Sequence, residues 1–304
     1  QNMKSLMGTI RFVLVVCLTV VSTTAGEQDN ANNYASSTVS AFTVSTSTPV
    51  SQWTPNTIHK VETSMSSSSS SSAALGDAPQ CGDGTAFSFY ATRPTQKNLN
   101  TKKLLIEFVG GGACWDATTC GKMASYLTFP DRFDAFVGRS CTEVQYGSSQ
   151  NNNNDGSFPL NLLCAQQVGS TDFTTYNYIV IPYCTQDVHT GNNIMTYEDG
   201  TVVNHVGGQN MMAVLRWIFK NFPKPSHIAL TGCSAGATAL PIAYSLLQQH
   251  YNQFLVRNVQ ISTISDSPVY LTPSYFLENA FGNWNPWQLM YRTGFPYETW
   301  RYNE

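Results

Sequence analysis

The stretch that decides the fold is His227-Ile-Ala-Leu-Thr-Gly-Cys-Ser-Ala-Gly-Ala237. It begins as a short apolar run, which is typical of a buried parallel strand. It ends in Gly-x-Ser-x-Gly, from Gly232 to Gly236. In this pattern the serine occupies a sharp strand-to-helix turn, and the glycines avoid collisions that side chains would cause there. The stretch therefore predicts that Ser234 is a nucleophile raised above a sheet.

Strands and helices alternate on both sides of this turn. Alternating apolar residues predict strands at 86–92, 103–109 and 176–181, and a strand nearer the sheet edge at 258–264. Apolar residues at helical spacing predict helices at 210–220 and 238–250, with Pro241 in the first turn of the second helix. This order predicts an α/β fold with a doubly wound, mostly parallel sheet.

The N-terminal third differs in composition from the rest. Residues 1–25 carry two basic residues, an apolar run at 12–21 and small residues at 23–25, which together predict a signal peptide. Ten apolar residues are too few for a stable membrane span, so we expect a protein that is secreted or held in the cell wall. Residues 26–79 are rich in Ser and Thr and predict a disordered linker. The folded domain is then residues 80–304.

Charge and cysteine content narrow the function further. A net charge of −3 gives no basic field for nucleic acid. No Cys-x₂₋₄-Cys or His-x₃₋₅-His spacing occurs, so no metal and no cofactor are expected. Cys114 and Cys120 are near enough in sequence to form a small disulfide loop. Cys233 is either a buried free thiol or the partner of a cysteine further along, because the number of cysteines outside residues 1–25 is odd: 81, 114, 120, 141, 164, 184 and 233.

A second glycine-rich segment, Gly110-Gly-Gly112, follows the strand at 103–109. In a parallel sheet it lies at the same edge as Ser234, where ligands bind. We therefore expect the N–H groups of Gly111, Gly112 and Ala235 to hold the oxyanion of an acyl-transfer intermediate. A phosphate-binding loop is the competing interpretation, but the segment lacks the Gly-Lys-Ser/Thr ending and the Gly-x-Gly-x-x-Gly spacing.

Several blocks in a fixed order resemble the pectin acetylesterase family, which also contains the lipid deacylase Notum. The resemblance implies an extracellular α/β-hydrolase with a Ser/Asp/His triad that removes acyl groups, commonly acetyl groups from pectin. It matches Ser234 to the nucleophile and Gly111, Gly112 and Ala235 to the oxyanion hole. We assign Trp115 and His189, which lie in two of the blocks, to substrate binding. The blocks are 108–120, 182–191, 205–210 with 215–217, 232–237, 264–267 and 283–285.

The other two triad members are not found by the same matching. In this fold they follow the nucleophile in the order Asp or Glu, then His. The histidine that follows Ser234 is His250, about 24 Å away along a helix at 1.5 Å per residue. Asp266 is a candidate for the acid, and the alternative is that its carboxylate accepts hydrogen bonds from nearby loop N–H groups. At this stage we expect the missing residues after Glu304, a C-terminally incomplete domain and an inactive fragment.

These observations favour a secreted, monomeric carboxylic-ester hydrolase that deacetylates pectin or a similar acetylated polysaccharide through a serine acyl-enzyme. One alternative is a catalytically inactive family member that binds glycan through its aromatic side chains. The other is a lipid deacylase, which requires a deep apolar pocket.

Overall fold

The computed structural model describes residues 42–45, 48–65, 79–94, 102–128, 175–254, 258–266 and 274–286. All of them belong to one compact unit, Ser40–Glu304. The predicted signal peptide, Cys141 and Cys164 lie outside the described residues. Within these ranges no helix is both long and apolar enough to cross a membrane.

One sheet forms the centre of the domain. Seven strands in the described part of the chain form it, in the order β1-β2-β3-β5-β4-β8-β9. A separate antiparallel pair, β6 and β7, follows β5 in the chain. The strands are β1 Phe42–Ser45, β2 Ile58–Met65, β3 Ser88–Thr92, β4 Lys103–Phe108, β5 Asn177–Ile181, β6 Asn193–Thr196, β7 Val202–His205, β8 His227–Cys233 and β9 Gln260–Asp266.

The parallel half of the sheet carries the predicted strands. β4 pairs in parallel with both β5 and β8, and β8 pairs in parallel with β9, which is the last strand in the order. Side chains of β4 and β5 are buried almost without exception, as expected for strands covered on both faces. The carboxyl ends of four strands therefore meet at one edge. The sheet is mixed, because β1, β2 and β3 add antiparallel pairs.

Two of these antiparallel strands lie inside the predicted linker, so the disorder prediction for residues 26–79 is wrong where the chain is described. β1 pairs with β2, and β2 pairs with β3 over five positions. Trp53, Ile58 and Val61 are buried in the main core. A few apolar residues at suitable positions thus anchor a segment whose composition is dominated by Ser and Thr.

Four helices accompany the sheet in the described ranges: α1 Ala117–Lys122, α2 Gly207–Asn221, α3 Ala235–Gln248 and α4 Ser274–Trp284. A single π-helical turn, Gln249–Phe254, extends α3. The helix α3 begins three residues earlier than predicted, directly after Ser234. Pro241 is consequently inside α3 and not in its first turn. Its side chain is exposed, so the ring faces solvent at the position where a backbone N–H is missing.

Two disulfides fasten the loops near the carboxyl edge. Cys114–Cys120 closes the small loop that the sequence predicts, and Asp116 inside this loop caps α1 through a 2.6 Å bond from the N–H of Thr119. Cys81–Cys184 joins the segment before β3 to the loop after β5. Both bonds fit an oxidising compartment. Cys233 is a free, half-buried thiol.

Candidate active site

Ser234 lies in the turn between β8 and α3 with a backbone conformation that side chains rarely adopt. Its φ is 55° and its ψ is −122°. Its N–H donates to the carbonyl oxygen of Asp266 at 2.9 Å, and its own carbonyl accepts from the N–H groups of Ala237 and Thr238 at 2.9 and 3.3 Å. Backbone bonds on both sides thus hold the serine in a strained conformation, as is common at functional sites.

We call the turn from Gly232 to Gly236 the elbow. Its two glycines allow β8, α3 and the end of β4 to touch through their backbones. A Cβ atom on Gly232 would lie 2.6 Å from the carbonyl group of Gly236. A Cβ atom on Gly236 would collide with the carbonyl oxygen of Phe108 at the end of β4. The strand, the turn and the helix therefore approach closer than any other residue type at these positions permits.

The glycine loop, residues 110–112, lies directly beside the serine. A Cβ atom on Gly110 would be 3.2 Å from the Cβ of Ser234, and one on Gly111 would be 3.1 Å from Cδ1 of Tyr183. Gly112 has a φ of 82°, which favours glycine. The loop thus lies between the elbow and the loop after β5. The N–H groups predicted to bind the oxyanion, those of Gly111, Gly112 and Ala235, belong to two adjoining segments, and their role stays a prediction.

Asp187 anchors the loop after β5 from inside the protein. Its buried carboxylate accepts bonds from the hydroxyl of Thr185 at 2.6 Å, the N–H of His189 at 3.1 Å and the N–H of Gly207 at 2.7 Å. Burial raises the pKa of Asp187 to about 6 although these bonds act in the opposite direction. Because Gly207 begins α2, the carboxylate also lies at the positive end of that helix.

His189 supports the start of the glycine loop. Its Nε2 lies 2.8 Å from the carbonyl oxygen of Val109, so this nitrogen donates the hydrogen bond. Its ring packs against Phe108 and Tyr183, with centroids 5.2 and 4.5 Å away. Burial lowers the pKa of His189 to about 4, and the ring is therefore neutral near pH 7. The side chain is only 1 % exposed, and a contact between His189 and substrate stays a prediction.

Asp266 and Cys233 lie next to each other at the base of the elbow. They are register partners in β9 and β8, and the Cys233 thiol forms a hydrogen bond with the Asp266 carboxylate. The pKa of Cys233 is raised by burial first and then by Asp266 and by the buried Glu107 of β4. Asp266 is exposed and holds Ser234 through its backbone. Its predicted role as the catalytic acid is untested by these contacts.

Trp115 is held by the end of α4. Its carbonyl oxygen accepts from the side-chain amide of Asn283 at 2.8 Å, and its ring meets Phe276 edge-on with centroids 4.8 Å apart. The indole of Trp284 donates to the carbonyl of Cys114 at 2.8 Å. Because α4 thereby fixes the segment after the glycine loop, the resemblance block at 283–285 has a structural role. The predicted contact of Trp115 with substrate stays a prediction.

The other histidines make contacts away from the elbow. His205 bonds Tyr197 at 2.8 Å and the carbonyl of Thr185 at 3.0 Å through its two ring nitrogens, and burial lowers its pKa to about 4. Its ring lies near the sulfurs of Cys114 and Cys120, a grouping that could suggest a metal. Those sulfurs form a disulfide, and both nitrogens of His205 are engaged, so these residues do not fit a metal ion.

The remaining three histidines contact side chains elsewhere in the domain. His227 bonds Tyr176 and Ser262, His59 stacks on Trp53, and His250 stacks on Phe219.

The structure thus brings Ser234, the glycine loop and the loop after β5 together, as the parallel sheet predicts. Sequence reasoning gave no separate role to Gly110, where a Cβ atom would lie 3.2 Å from the Cβ of Ser234, and none to Asp187 and Gln186. An acidic residue in a strand-end loop was a usable signal for Asp187. For Gln186 the sequence carries no signal, because its significance depends on contacts between loops.

A family model described as Pectinacetylesterase matches residues 59–291 of the chain. The chain is also 28 % identical over 206 residues to the palmitoleoyl-protein carboxylesterase NOTUM of Schmidtea mediterranea. That match covers 66 % of this chain and 34 % of the relative, so the chain spans about a third of that protein's length. A solved structure of the Wnt deacylase Notum from Drosophila is similar at 17 % identity and a TM-score of 0.48, covering 74 % of this chain and 67 % of the other.

Proposed function

Because the chain belongs to the pectinacetylesterase family, which is a family of esterases, we propose that it is a secreted carboxylic-ester hydrolase with Ser234 as its nucleophile. The observation that carries the proposal is the conformation of Ser234, with φ 55° and ψ −122°, beside a loop of three glycines. A non-glycine residue held in this conformation costs stability, and such strain is retained where a function requires it.

In the proposed reaction the Ser234 hydroxyl attacks the ester carbonyl and an acyl-enzyme forms as the alcohol leaves. The negative oxygen of the tetrahedral intermediate is bound by N–H groups of Gly111, Gly112 and Ala235. His189 contributes indirectly, because its bond to the carbonyl of Val109 fixes the start of the glycine loop. We assign no proton acceptor among the described residues, since Nε2 of the buried His189 and both ring nitrogens of His205 already serve other groups.

We propose an acetylated polysaccharide such as pectin as the substrate. The family description names pectin acetyl esters, and the predicted signal peptide, the two disulfides and the low charge suit an extracellular, monomeric enzyme. The similarity to NOTUM of Schmidtea mediterranea supports a second candidate, the removal of long acyl chains from protein. Activity on acetyl compared with octanoyl esters separates the two candidates.

The nucleophile is tested by labelling the full-length protein with a serine-directed phosphonate and locating the adduct by mass spectrometry. We expect one adduct at Ser234 and none in Ser234→Ala. Ser125 is exposed and distant in sequence from the elbow, so Ser125→Ala should label like the wild type. Labelling that persists in Ser234→Ala, or a wild-type chain that neither labels nor hydrolyses acetyl esters, would contradict the proposal.

A further inference from the structure

Gln186 has a buried side-chain amide without a hydrogen-bond partner among the residues that the structure describes. It lies in the loop after β5, its side chain is fully buried, and neither its Oε1 nor its Nε2 is bonded. Its φ is 54°, in a region that favours glycine. Both features destabilise the free protein. Buried polar groups in native proteins are nearly always paired, so an exception at a loop of the candidate site requires an explanation.

The surroundings hold the backbone of Gln186 in a fixed place. The carbonyl of Gln186 accepts the N–H of Cys114 at 2.9 Å, and the N–H of Val188 donates to the hydroxyl of Tyr183 at 2.7 Å. Together with the bonds to Asp187, these contacts fix the backbone on both sides of the residue. The backbone of Gln186 is therefore held in place before any ligand arrives.

The amide faces the glycine loop. A Cβ atom built on Gly111 would lie 4.0 Å from Nε2 of Gln186, and one on Gly112 would lie 3.8 Å from its Oε1. Gly112 is exposed and Gly111 is half-buried. Met123 and Tyr183 line the same gap, with Cε of Met123 2.9 Å from the built atom on Gly112 and Cδ1 of Tyr183 3.1 Å from the one on Gly111.

We propose that Gln186 is a specificity-determining residue that binds a hydroxyl group of the sugar carrying the ester. This inference rests on the proposed function. A carboxamide presents a donor and an acceptor side by side, and a hydroxyl can satisfy both at once. A fatty acyl chain can satisfy neither, so an apolar ligand at this place would leave both polar atoms buried and unpaired.

The test compares two acetyl esters that differ in hydroxyl groups. In the full chain, Gln186→Met keeps the length of the side chain and removes both polar atoms. We expect kcat/KM to fall about 10- to 100-fold on an acetylated galacturonan oligosaccharide, as for one lost hydrogen bond to substrate. On 4-nitrophenyl acetate, which has no hydroxyl group, we expect a change of less than about twofold for the same reason.

Thermal unfolding gives a readout that does not depend on activity. Gln186→Met should raise the melting temperature because it removes an unpaired buried amide and keeps the size of the side chain. Equal losses on both esters, no loss on the oligosaccharide, or a lower melting temperature of Gln186→Met would overturn the inference. Failure of the proposed function is distinguishable, because the wild type would then leave both esters intact.

Discussion

Among single residues, Glu107 is the clearest example of an ionisable side chain that is buried away from water. It lies within β4, is 7 % exposed, and its Oε2 has no hydrogen-bond partner in the described part of the chain. Desolvation raises the pKa of Glu107 to about 8, so the carboxyl group is largely protonated near pH 7. The residue pairs with Thr231 in the register of β8 and influences Cys233 electrostatically. A neutral Glu107 therefore contributes a polar group, and not a charge, to the base of the elbow.

This makes the stability of the domain dependent on pH through Glu107. In the unfolded chain the group ionises near pH 4.5, while in the fold it ionises near pH 8, so the folded state holds the proton more tightly. The stabilising contribution is complete below pH 4.5 and is lost as pH rises through 8. We expect Glu107→Gln to match the wild type at pH 5 and to exceed it in free energy of unfolding at pH 9 by a few kcal/mol, on the order of the pKa difference. Urea denaturation at both pH values measures this.

Glu278→Gln is the matched control, because Glu278 is exposed on α4 and its solvation changes little on folding. Its unfolding free energy should follow the wild type across the same pH range. If Glu107→Gln also followed the wild type, the carboxyl group would have to be solvated or paired in the folded protein.

Among the elements, the sharp turn at the elbow is possible because α3 packs on the end of β4 without an intervening side chain. Gly236 is the contact point, since a Cβ there would meet the carbonyl of Phe108. The start of α3 cannot shift away from β4, because its first residue follows Ser234 directly and the N–H of Ser234 is bonded to β9. The position of Ser234 thus depends on the fit between a helix and two strands.

A methyl group at this contact should therefore disturb the fold and the site together. We expect Gly236→Ala to lower the free energy of unfolding by about 3 kcal/mol, as for overpacked cores, and to reduce phosphonate labelling of Ser234. Gly121→Ala is the control: this glycine is in α1, and a Cβ there meets nothing within 4 Å. It should leave labelling unchanged and raise stability by about 0.5–1 kcal/mol. Similar effects of the two substitutions on labelling would show that the contact at Gly236 is not decisive.

The same elements show which parts of the fold the sequence patterns predict. Strands β3, β4, β5 and β8 were predictable, because each is a bounded apolar run that reflects local burial. β2 was not, because its few buried residues are set among Ser and Thr, and its stability comes from pairing with β3. The start of α3 was misplaced because Pro241 was assumed to mark a first turn. The motif located Ser234 and the glycine loop, whereas the unpaired amide of Gln186 arises from contacts between loops far apart in sequence.

At the scale of the molecule, the two disulfides among the described residues constrain the chain on different length scales. Cys81–Cys184 joins residues 103 positions apart and ties the segment before β3 to the loop that carries Asp187 and Gln186. Cys114–Cys120 spans 6 positions, but Cys114 bonds directly to the backbone of Gln186 and to the indole of Trp284. The long disulfide therefore limits mainly the unfolded chain, while the short one shapes the candidate site.

We expect the two bonds to rank oppositely for stability and for activity. By restricting the unfolded chain, a disulfide that closes a loop of 100 residues adds about 4.7 kcal/mol to the free energy of unfolding, and one that closes a loop of seven adds about half of that. The double variant Cys81→Ser/Cys184→Ser should therefore lose more unfolding free energy than Cys114→Ser/Cys120→Ser in chemical denaturation. At a temperature where both remain folded, the second variant should show the larger fall in kcat/KM on an acetyl ester, because releasing Cys114 frees the glycine loop from Gln186 and α4. The opposite ranking in the activity assay would mean that the glycine loop keeps its shape without the short disulfide, held by β4 and His189 alone.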